Sequence, residues 1–174
     1  MGISDYCPSC HSGRSYPDIR VQEANCTYAR YLLDNVGGHN SEMTAISFYF
    51  ASEIRLEPDL SHIFQEICKV EMHHMKIFGE LARCLGETAL LWTNCGGRKV
   101  WWSPSFTDYP GSIFGILEAS LQGEQAAVEK YQWQLDRIDD PYIQENLKRI
   151  IEDEEIHIRI FKKLNRYFKE GMMP

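Results

Sequence analysis

The sequence lacks the long apolar segment that a membrane protein needs, and it lacks an excess of positive charge. No apolar run within the 174 residues approaches the length that spans a bilayer, so we expect no transmembrane segment. Acidic residues outnumber basic residues by 25 to 18, which gives a net charge of −7. Nucleic-acid-binding proteins usually carry a basic face and anionic membranes attract basic segments, so neither partner is expected.

Signatures of secretion and of several enzyme classes are also missing. The sequence contains no Ser-His-Asp signature, no phosphate-binding loop and no dinucleotide fingerprint. The first residues, Met1 to Tyr6, have neither a basic start nor an apolar stretch, so we expect no secretory signal and a cytoplasmic protein. In a reducing cytoplasm, the six cysteines are not expected to form a disulfide framework.

What is present is a helical pattern in a chain of ordinary globular composition, with 44% apolar and 25% charged residues. The periodicity predicts a polar N-terminal tail over 1–22 and one bundle domain over 23–170. The predicted helical stretches are 24–56, 59–85, 112–138 and 141–169. Gly37 and Gly38 predict a kink or a break in the first stretch, because glycine is unfavourable inside a helix.

The connections between the stretches indicate how the helices are arranged. Short junctions at Pro58 and at 139–141 predict two antiparallel helical hairpins. The segment 86–110 is rich in Gly, Pro and Trp, and we interpret it as a long crossover without strands. The predicted fold class is therefore all-α, a four-helix bundle of two hairpins joined by this crossover.

The second and fourth helical stretches carry the same interruption in their apolar seams. Steps of four and three residues trace Leu60, Phe64, Ile67, Glu71, His74, Phe78 and Leu81 in one, and Ile143, Leu147, Ile150, Glu154, His157, Phe161, Leu164 and Phe168 in the other. A shift of 83 residues maps Glu71 onto Glu154 and His74 onto His157. The chain therefore contains an internal repeat of helical hairpins.

A carboxylate in an apolar seam needs a compensating partner, because burying a lone charge costs several kcal/mol. A Glu and a His three residues apart lie on one helix face and can hold one metal ion together. The repeated pair predicts a two-metal site that contains Glu71, His74, Glu154 and His157. The alternative is two buried Glu–His hydrogen-bonded pairs without metal.

Two metal ions need further carboxylates from the other two helices. In an antiparallel hairpin, the partner residue lies about as far before the turn as the seam Glu lies after it. Glu42 meets this condition in the first hairpin, where Glu53 is misplaced by roughly 15 Å. Glu124 meets it in the second hairpin, where Glu118 and Glu129 are misplaced by about 7–9 Å. Four carboxylates would then neutralise two divalent ions.

Two tyrosines repeat with nearly the same shift as these carboxylates. Tyr49 follows Glu42 by seven residues, and Tyr131 follows Glu124 by seven residues. Each tyrosine therefore lies on the same helix face as its carboxylate. The phenols would hydrogen-bond a metal ligand or relay an electron, or they would serve only as packing aromatics.

The sequence resembles the ferritin-like di-metal carboxylate superfamily over about residues 24–169. These four-helix bundles take one Glu from each of two helices and a Glu-x-x-His from each of the other two. The segments that resemble manganese-catalase-like and rubrerythrin-like members are Ser41–Ile46, Val70–His74 with Gly79–Leu81, Gly123–Ala127 and Asp153–His157. Rubrerythrins carry an additional carboxylate at the position of Ala127.

The resemblance implies an oxidoreductase that holds two iron or manganese ions and acts on peroxide or dioxygen, as a catalase, peroxidase or ferroxidase does. It implies bridging or terminal roles for Glu42 and Glu124, and metal anchoring by the two Glu–His pairs. An external electron donor is possible within this class, and the crossover aromatics favour a homo-oligomer, preferably a dimer. The alternatives are a non-catalytic protein of metal storage or assembly and a metal-free helical interaction module.

Cys7 and Cys10 belong to a Cys-Pro-Ser-Cys-His segment that has three interpretations. It formally matches the attachment pattern of a c-type haem, which requires export. It also resembles half of a zinc or iron knuckle that another subunit or further cysteines would complete. Unligated thiols in a polar tail are the third interpretation.

Overall fold

The computed structural model describes residues 9–170, which contain five α-helices, one small β-hairpin and a short 3-10 helix at Pro104–Phe106. The helices are α1 (Cys26–Gly37), α2 (Glu42–Glu53), α3 (Pro58–Cys84), α4 (Ile113–Leu135) and α5 (Pro141–Lys169). α2 packs against α3, and α4 packs against α5, as two helical hairpins. The predicted all-α bundle is confirmed. Within residues 9–170, none of the helices combines the length and the apolarity that crossing a membrane requires.

Each helix begins where the sequence supplies a start signal. In four of the helices, a polar side chain before the first turn accepts hydrogen bonds from backbone N–H groups that would otherwise be unpaired. These residues are Asn25, Ser41, Ser112 and Asp140. Proline occupies the first turn of α3 and of α5, where the missing N–H removes no helical bond. The predicted turns before Pro58 and Pro141 are confirmed.

The first predicted stretch is two helices, with the break at the predicted glycines. α1 ends at Gly37, and α2 begins at Glu42. A Cβ atom on Gly37 would lie 2.6 Å from the carbonyl carbon of Leu91 and 2.6 Å from the nitrogen of Trp92. Only glycine therefore lets the crossover backbone pass this close to α1.

The break between α1 and α2 is held by a lysine from the opposite hairpin. Lys130 Nζ donates to the carbonyl oxygens of Asp34, at 3.1 Å, and Asn40, at 2.7 Å. It also pairs with the Asp34 carboxylate at 2.7 Å. The break places Glu42 in the first turn of α2, where the helix dipole stabilises a negative charge.

The crossover contains two short strands, so the prediction of a strand-free crossover was wrong. β1 (Trp92–Cys95) pairs antiparallel with β2 (Arg98–Trp101). Gly96 and Gly97 form the turn with φ angles of 59° and 81°, which suit a two-residue hairpin turn. Strands of four residues are too short for an alternating pattern to stand out from the surrounding Gly, Pro and Trp residues.

Two apolar clusters fill the bundle, one on each side of a polar layer. Fully buried members of the first cluster are Phe64, Ile67, Leu117, Phe161 and Leu164. Fully buried members of the second are Ala29, Leu32, Phe78, Leu81, Ala82, Ile143, Leu147 and Ile150. Glu71 and His74 lie between Ile67 and Phe78 along α3, so apolar packing flanks the interruption at both ends.

Residues 9–25, most of which the sequence assigns to a polar tail, lie against α5. The backbone N–H of Ser12 donates to Asp153 Oδ1 at 2.7 Å, and that of Gln22 donates to Asp140 Oδ2 at 2.7 Å. Cys10 is buried. Cys7 lies outside the described residues, so the three interpretations of the cysteine pair stay predictions.

We expect Gly37→Ala to lower the free energy of unfolding by about 1–3 kcal/mol, because the new methyl group must push the crossover backbone away from α1. Urea denaturation measures the change. Gly79→Ala is the matched control, since its Cβ would meet only Ala89 at an ordinary 3.5 Å. The control should gain up to about 1 kcal/mol from better helix propensity. Equal effects of the two substitutions would contradict the close approach.

Candidate metal centre

The six side chains that the sequence nominates as ligands meet at one level of the bundle. They come from α2, α3, α4 and α5, and each exposes 4% or less of its surface. The six residues are Glu42, Glu71, His74, Glu124, Glu154 and His157. Such burial of four carboxylates requires compensating positive charge close by.

The donor atoms of these residues divide into two groups of four, in each of which they lie within 4.8 Å of one another. The first group is Glu42, Glu71, His74 and Glu154, and the second is Glu71, Glu124, Glu154 and His157. Glu71 and Glu154 belong to both groups, whereas Glu42 and Glu124 belong to one each. We therefore call Glu71 and Glu154 the shared pair, and Glu42 and Glu124 the terminal pair.

The distances between donor atoms test whether metal ions fit between them. Two ligands at right angles, each about 2.1 Å from an ion, are about 3.0 Å apart. His157 Nδ1 lies 3.0 Å from Glu71 Oε1 and 3.1 Å from Glu154 Oε2. His74 Nδ1 lies 3.1 Å from Glu71 Oε2 and 3.2 Å from Glu154 Oε1. These separations match neighbouring corners of a coordination polyhedron.

Two buried carboxylate oxygens in the centre each lie beside a histidine Nδ1, but they accept no hydrogen bond of good geometry. These atoms are Glu71 Oε1 and Glu154 Oε1. A buried charged oxygen without a hydrogen bond is costly, and a coordinated cation removes that cost. The donor set of carboxylates and imidazoles suits iron and manganese. By these criteria, the residues present fit a pair of metal ions.

Two phenols cross the bundle to hold the terminal carboxylates. The Tyr49 hydroxyl, on α2, donates a short hydrogen bond to Glu124 Oε1 on α4. The Tyr131 hydroxyl, on α4, donates a short hydrogen bond to Glu42 Oε1 on α2. Both tyrosines are buried, and burial is the main cause that raises the pKa of each phenol well above its ordinary value. The phenols are therefore hydrogen-bond donors at neutral pH, a role beyond packing.

Burial and mutual charge divide the four carboxylates into two kinds. Burial, followed by the charge of Glu71, raises the pKa of Glu42 and that of Glu124 well above their ordinary values. Burial also acts to raise the pKa of Glu71 and of Glu154. The two imidazoles outweigh this effect and hold both values below the ordinary range. The carboxyl groups of Glu42 and Glu124 are therefore protonated more readily than those of Glu71 and Glu154.

The imidazoles take their protonation state from the same carboxylates. Burial disfavours the charged form of each ring, but the adjacent charges of Glu154 on His74 and of Glu124 on His157 outweigh it. The pKa of each histidine is raised well above its ordinary value. Metal ions at Nδ1 would displace these protons, since a ligating imidazole is neutral there.

Several groups behind the histidines were missed by sequence reasoning. Asp153 Oδ2 lies 3.2 Å from His74 Nε2, and it also accepts from the Tyr16 hydroxyl at 2.5 Å. The carbonyl oxygen of Cys10 lies 2.9 Å from His157 Nε2. A run of four acids, 152–155, concealed Asp153, but its spacing of four from Arg149 was a usable signal. No sequence pattern points to a backbone carbonyl.

A pocket of about 370 Å³ opens onto the centre between α2 and α4. Its floor is formed by Glu42, Glu71, Glu124 and Glu154. Ala45, Ala119, Ala126 and Ala127 are among the small residues on its walls. Small side chains on these helices leave the space open and provide a route for a small molecule to the carboxylates.

The chain is similar to known proteins at low sequence identity. No family model matches the chain. A probable manganese catalase of Clostridium acetobutylicum is 24% identical over 176 residues, covering 88% of this chain and 77% of that protein. Protein CotJC of Bacillus subtilis is 23% identical over 175 residues, covering 89% of this chain and 91% of that protein.

Among solved structures, the chain is similar to KatB, a manganese catalase from Anabaena PCC7120. That crystal structure superposes with a TM-score of 0.80 at 19% identity, covering 92% of this chain and 80% of KatB. A second structure, wild-type KatB, gives a TM-score of 0.82 at 19% identity, with 94% and 82% covered. The chain has the ferritin-like fold. The ferritin-like bundle predicted from the sequence is thereby confirmed.

We expect Tyr131→Phe to lower the free energy of unfolding of the metal-free protein by about 1–3 kcal/mol, because Glu42 loses its buried hydrogen-bond donor. Tyr109→Phe is the control, since Tyr109 is 54% exposed. It should change stability by less than about 0.5 kcal/mol. Urea denaturation of both variants decides, and equal small changes would show that the buried bond is unimportant.

We also expect metal to stabilise the protein more as the pH rises from about 5 to 8. Raised pKa values of Glu42, Glu124 and the two histidines stabilise the metal-free fold at low pH, and this contribution is lost as the pH rises through them. The lowered pKa values of Glu71 and Glu154 stabilise the fold across this whole range, and their contribution is lost only as the pH falls below the ordinary glutamate value of about 4.3.

Metal binding has the opposite dependence, because it releases the protons that the centre holds. Melting temperatures of metal-free and Mn²⁺-loaded protein, measured by calorimetry, test this expectation. The difference between the two temperatures should widen with pH. A constant or shrinking difference would mean that no protons are displaced from the centre.

Proposed function

We propose that this protein is a di-metal oxidoreductase of the manganese-catalase type, which binds two manganese ions and decomposes hydrogen peroxide. The observation that carries the proposal is the pair of buried four-residue groups that share Glu71 and Glu154. The relatives named as manganese catalases favour manganese over iron and peroxide over dioxygen. The six proposed ligands are Glu42, Glu71, His74, Glu124, Glu154 and His157.

Charge balance supports two divalent ions in this centre. Four carboxylates contribute a charge of −4 when ionised, and two divalent ions contribute +4. A neutral site is tolerated in an apolar core, whereas an unbalanced one is not. When bound, the ions would supply two-electron redox capacity, because one peroxide molecule gives up two electrons and a second accepts them.

The side chains around the centre would orient and enclose it. Tyr49 and Tyr131 hold the terminal carboxylates at fixed positions and keep protons at their hydroxyl oxygens, within reach of Glu124 and Glu42. The oxidation of one peroxide releases two protons, and the reduction of another consumes two. Buried donors and acceptors that face the pocket can hold such protons between the two half-reactions.

The pocket favours catalysis over storage or assembly. It connects the outside of the bundle to the four carboxylates, as turnover of a small molecule requires. Disproportionation uses peroxide as both oxidant and reductant, so the proposal needs no external electron donor. A homo-oligomer stays a prediction from the crossover aromatics.

We expect two manganese ions per chain in protein grown with both manganese and iron, and one molecule of oxygen released for every two of peroxide. Glu154→Gln should reduce metal content and oxygen release by more than tenfold, because it removes a shared ligand. Glu155→Gln is the matched control, since its side chain is exposed on the same helix turn. Elemental analysis and an oxygen electrode provide the two measurements.

The outcomes separate the alternatives. Bound metal without oxygen release in the unmodified protein would favour the non-catalytic alternative of storage or assembly. Iron in place of manganese would overturn the choice of metal and leave the ligand set intact. The absence of bound metal would overturn both and favour two buried Glu–His pairs.

A further inference from the structure

The two histidines of the centre differ in what their outer nitrogens contact. His74 Nε2 lies 3.2 Å from a carboxylate oxygen, Asp153 Oδ2. His157 Nε2 lies 2.9 Å from a neutral acceptor, the carbonyl oxygen of Cys10. Both rings are fully buried, and both point Nδ1 at the shared carboxylates. The ligands thus form two similar groups, whereas their surroundings differ.

Asp153 is held in place by contacts to both of its oxygens. Oδ1 accepts from the backbone N–H of Ser12 at 2.7 Å and pairs with Arg149 Nη1 at 2.7 Å. Oδ2 accepts from the Tyr16 hydroxyl at 2.5 Å as well as facing His74. The side chain is fully buried. Arg149 balances its charge, so Asp153 adds no net charge to the four carboxylates of the centre.

The sequences of the two repeated hairpins account for this difference between the histidine surroundings. The shift of 83 residues that maps Glu71 onto Glu154 maps Val70 onto Asp153. Val70 is a buried apolar residue, and it has no polar atom to offer a histidine. One hairpin therefore supplies a carboxylate at this position, and the other supplies none. The N-terminal segment provides the substitute acceptor through Cys10.

A histidine that donates its outer N–H to a carboxylate is a stronger metal ligand than one that donates to a neutral carbonyl. The carboxylate pulls the ring proton and leaves more electron density on the opposite nitrogen. Such partners change metal affinity by about 10- to 100-fold when they are removed. The two positions of the centre should differ by a factor of this size.

We propose that Asp153 is a positioning residue that makes the two metal positions unequal, so that the ion on His74 binds first and more tightly than the ion on His157. This inference rests on the proposed function only in that it requires the centre to bind manganese. It assigns an order of loading to two positions whose ligands are alike. Asp153 acts through the imidazole and does not contact the ion.

Titration of metal-free protein with Mn²⁺ tests the proposal. The concentration of free Mn²⁺ is measured by electron paramagnetic resonance. The unmodified protein should bind its two ions with two separate constants. Asp153→Asn keeps the shape of the side chain and offers a neutral acceptor, like the Cys10 carbonyl. It should weaken the first constant by about 10- to 100-fold and leave the second nearly unchanged. The two constants then become similar.

Ring N–H resonances give a reading that a merely structural role would not move. In Zn²⁺-loaded protein, ¹⁵N–¹H spectra should show two histidine ring N–H signals, with that of His74 at lower field. Asp153→Asn should move this signal toward the signal of His157 and leave the latter in place. Glu152→Gln is the control, because Glu152 is the adjacent acid and pairs with Arg14 at the surface.

Asp153→Asn leaves Arg149 without its charged partner, so a second variant protects the test against misfolding. Arg149→Met with Asp153→Asn removes both charges and should give the same loss of the first constant. Equal weakening of both constants, or no change, in a folded variant would overturn the proposal. If the unmodified protein is active but binds its two Mn²⁺ ions with equal constants, this proposal is overturned and the proposed function stands. An unmodified protein that binds no manganese would overturn the proposed function as well.

Discussion

The balance of charge in the middle of the bundle is the constraint on which the rest of the structure depends. Four carboxylates and two imidazoles replace apolar residues at one level, between two apolar clusters. In a medium of low polarity, such a layer is tolerated only if every charge has a partner. The crossed phenols of Tyr49 and Tyr131, the ion pair behind His74 and the fit of two cations meet this requirement together.

The fold positions this layer through a duplicated hairpin with one irregular half. α4 and α5 are continuous through the level of the centre, whereas the first hairpin has a break before Glu42. The break brings Glu42 to a helix start, and Lys130 of the other hairpin closes it. The approach of the crossover backbone to Gly37 fixes the break from outside. The irregularity thus positions one of the proposed ligands, and distant parts of the chain support it.

Repetition explains how much could be predicted from the sequence. Glu71 and Glu154 could be predicted because a charge in an apolar seam is unusual and because the shift of 83 residues repeats that charge in a second helix. Glu42 and Glu124 followed from helix geometry. The strands of the crossover were not predicted because they are short. The role of Asp153 was not predicted because three other acids lie beside it in the sequence. The Cys10 carbonyl could not be predicted, since every residue has one and only tertiary packing selects it.

The contact between the start of the chain and α5 has a consequence for biosynthesis. Ser12 and Asp153 are 141 positions apart, so Ser12 leaves the ribosome long before its partner is synthesised. Closing so long a loop is slow compared with forming helical hairpins. The first hairpin can therefore assemble during translation, while the surroundings of both histidines are completed only after the last helix has emerged. Nascent chains would hold at most an immature centre.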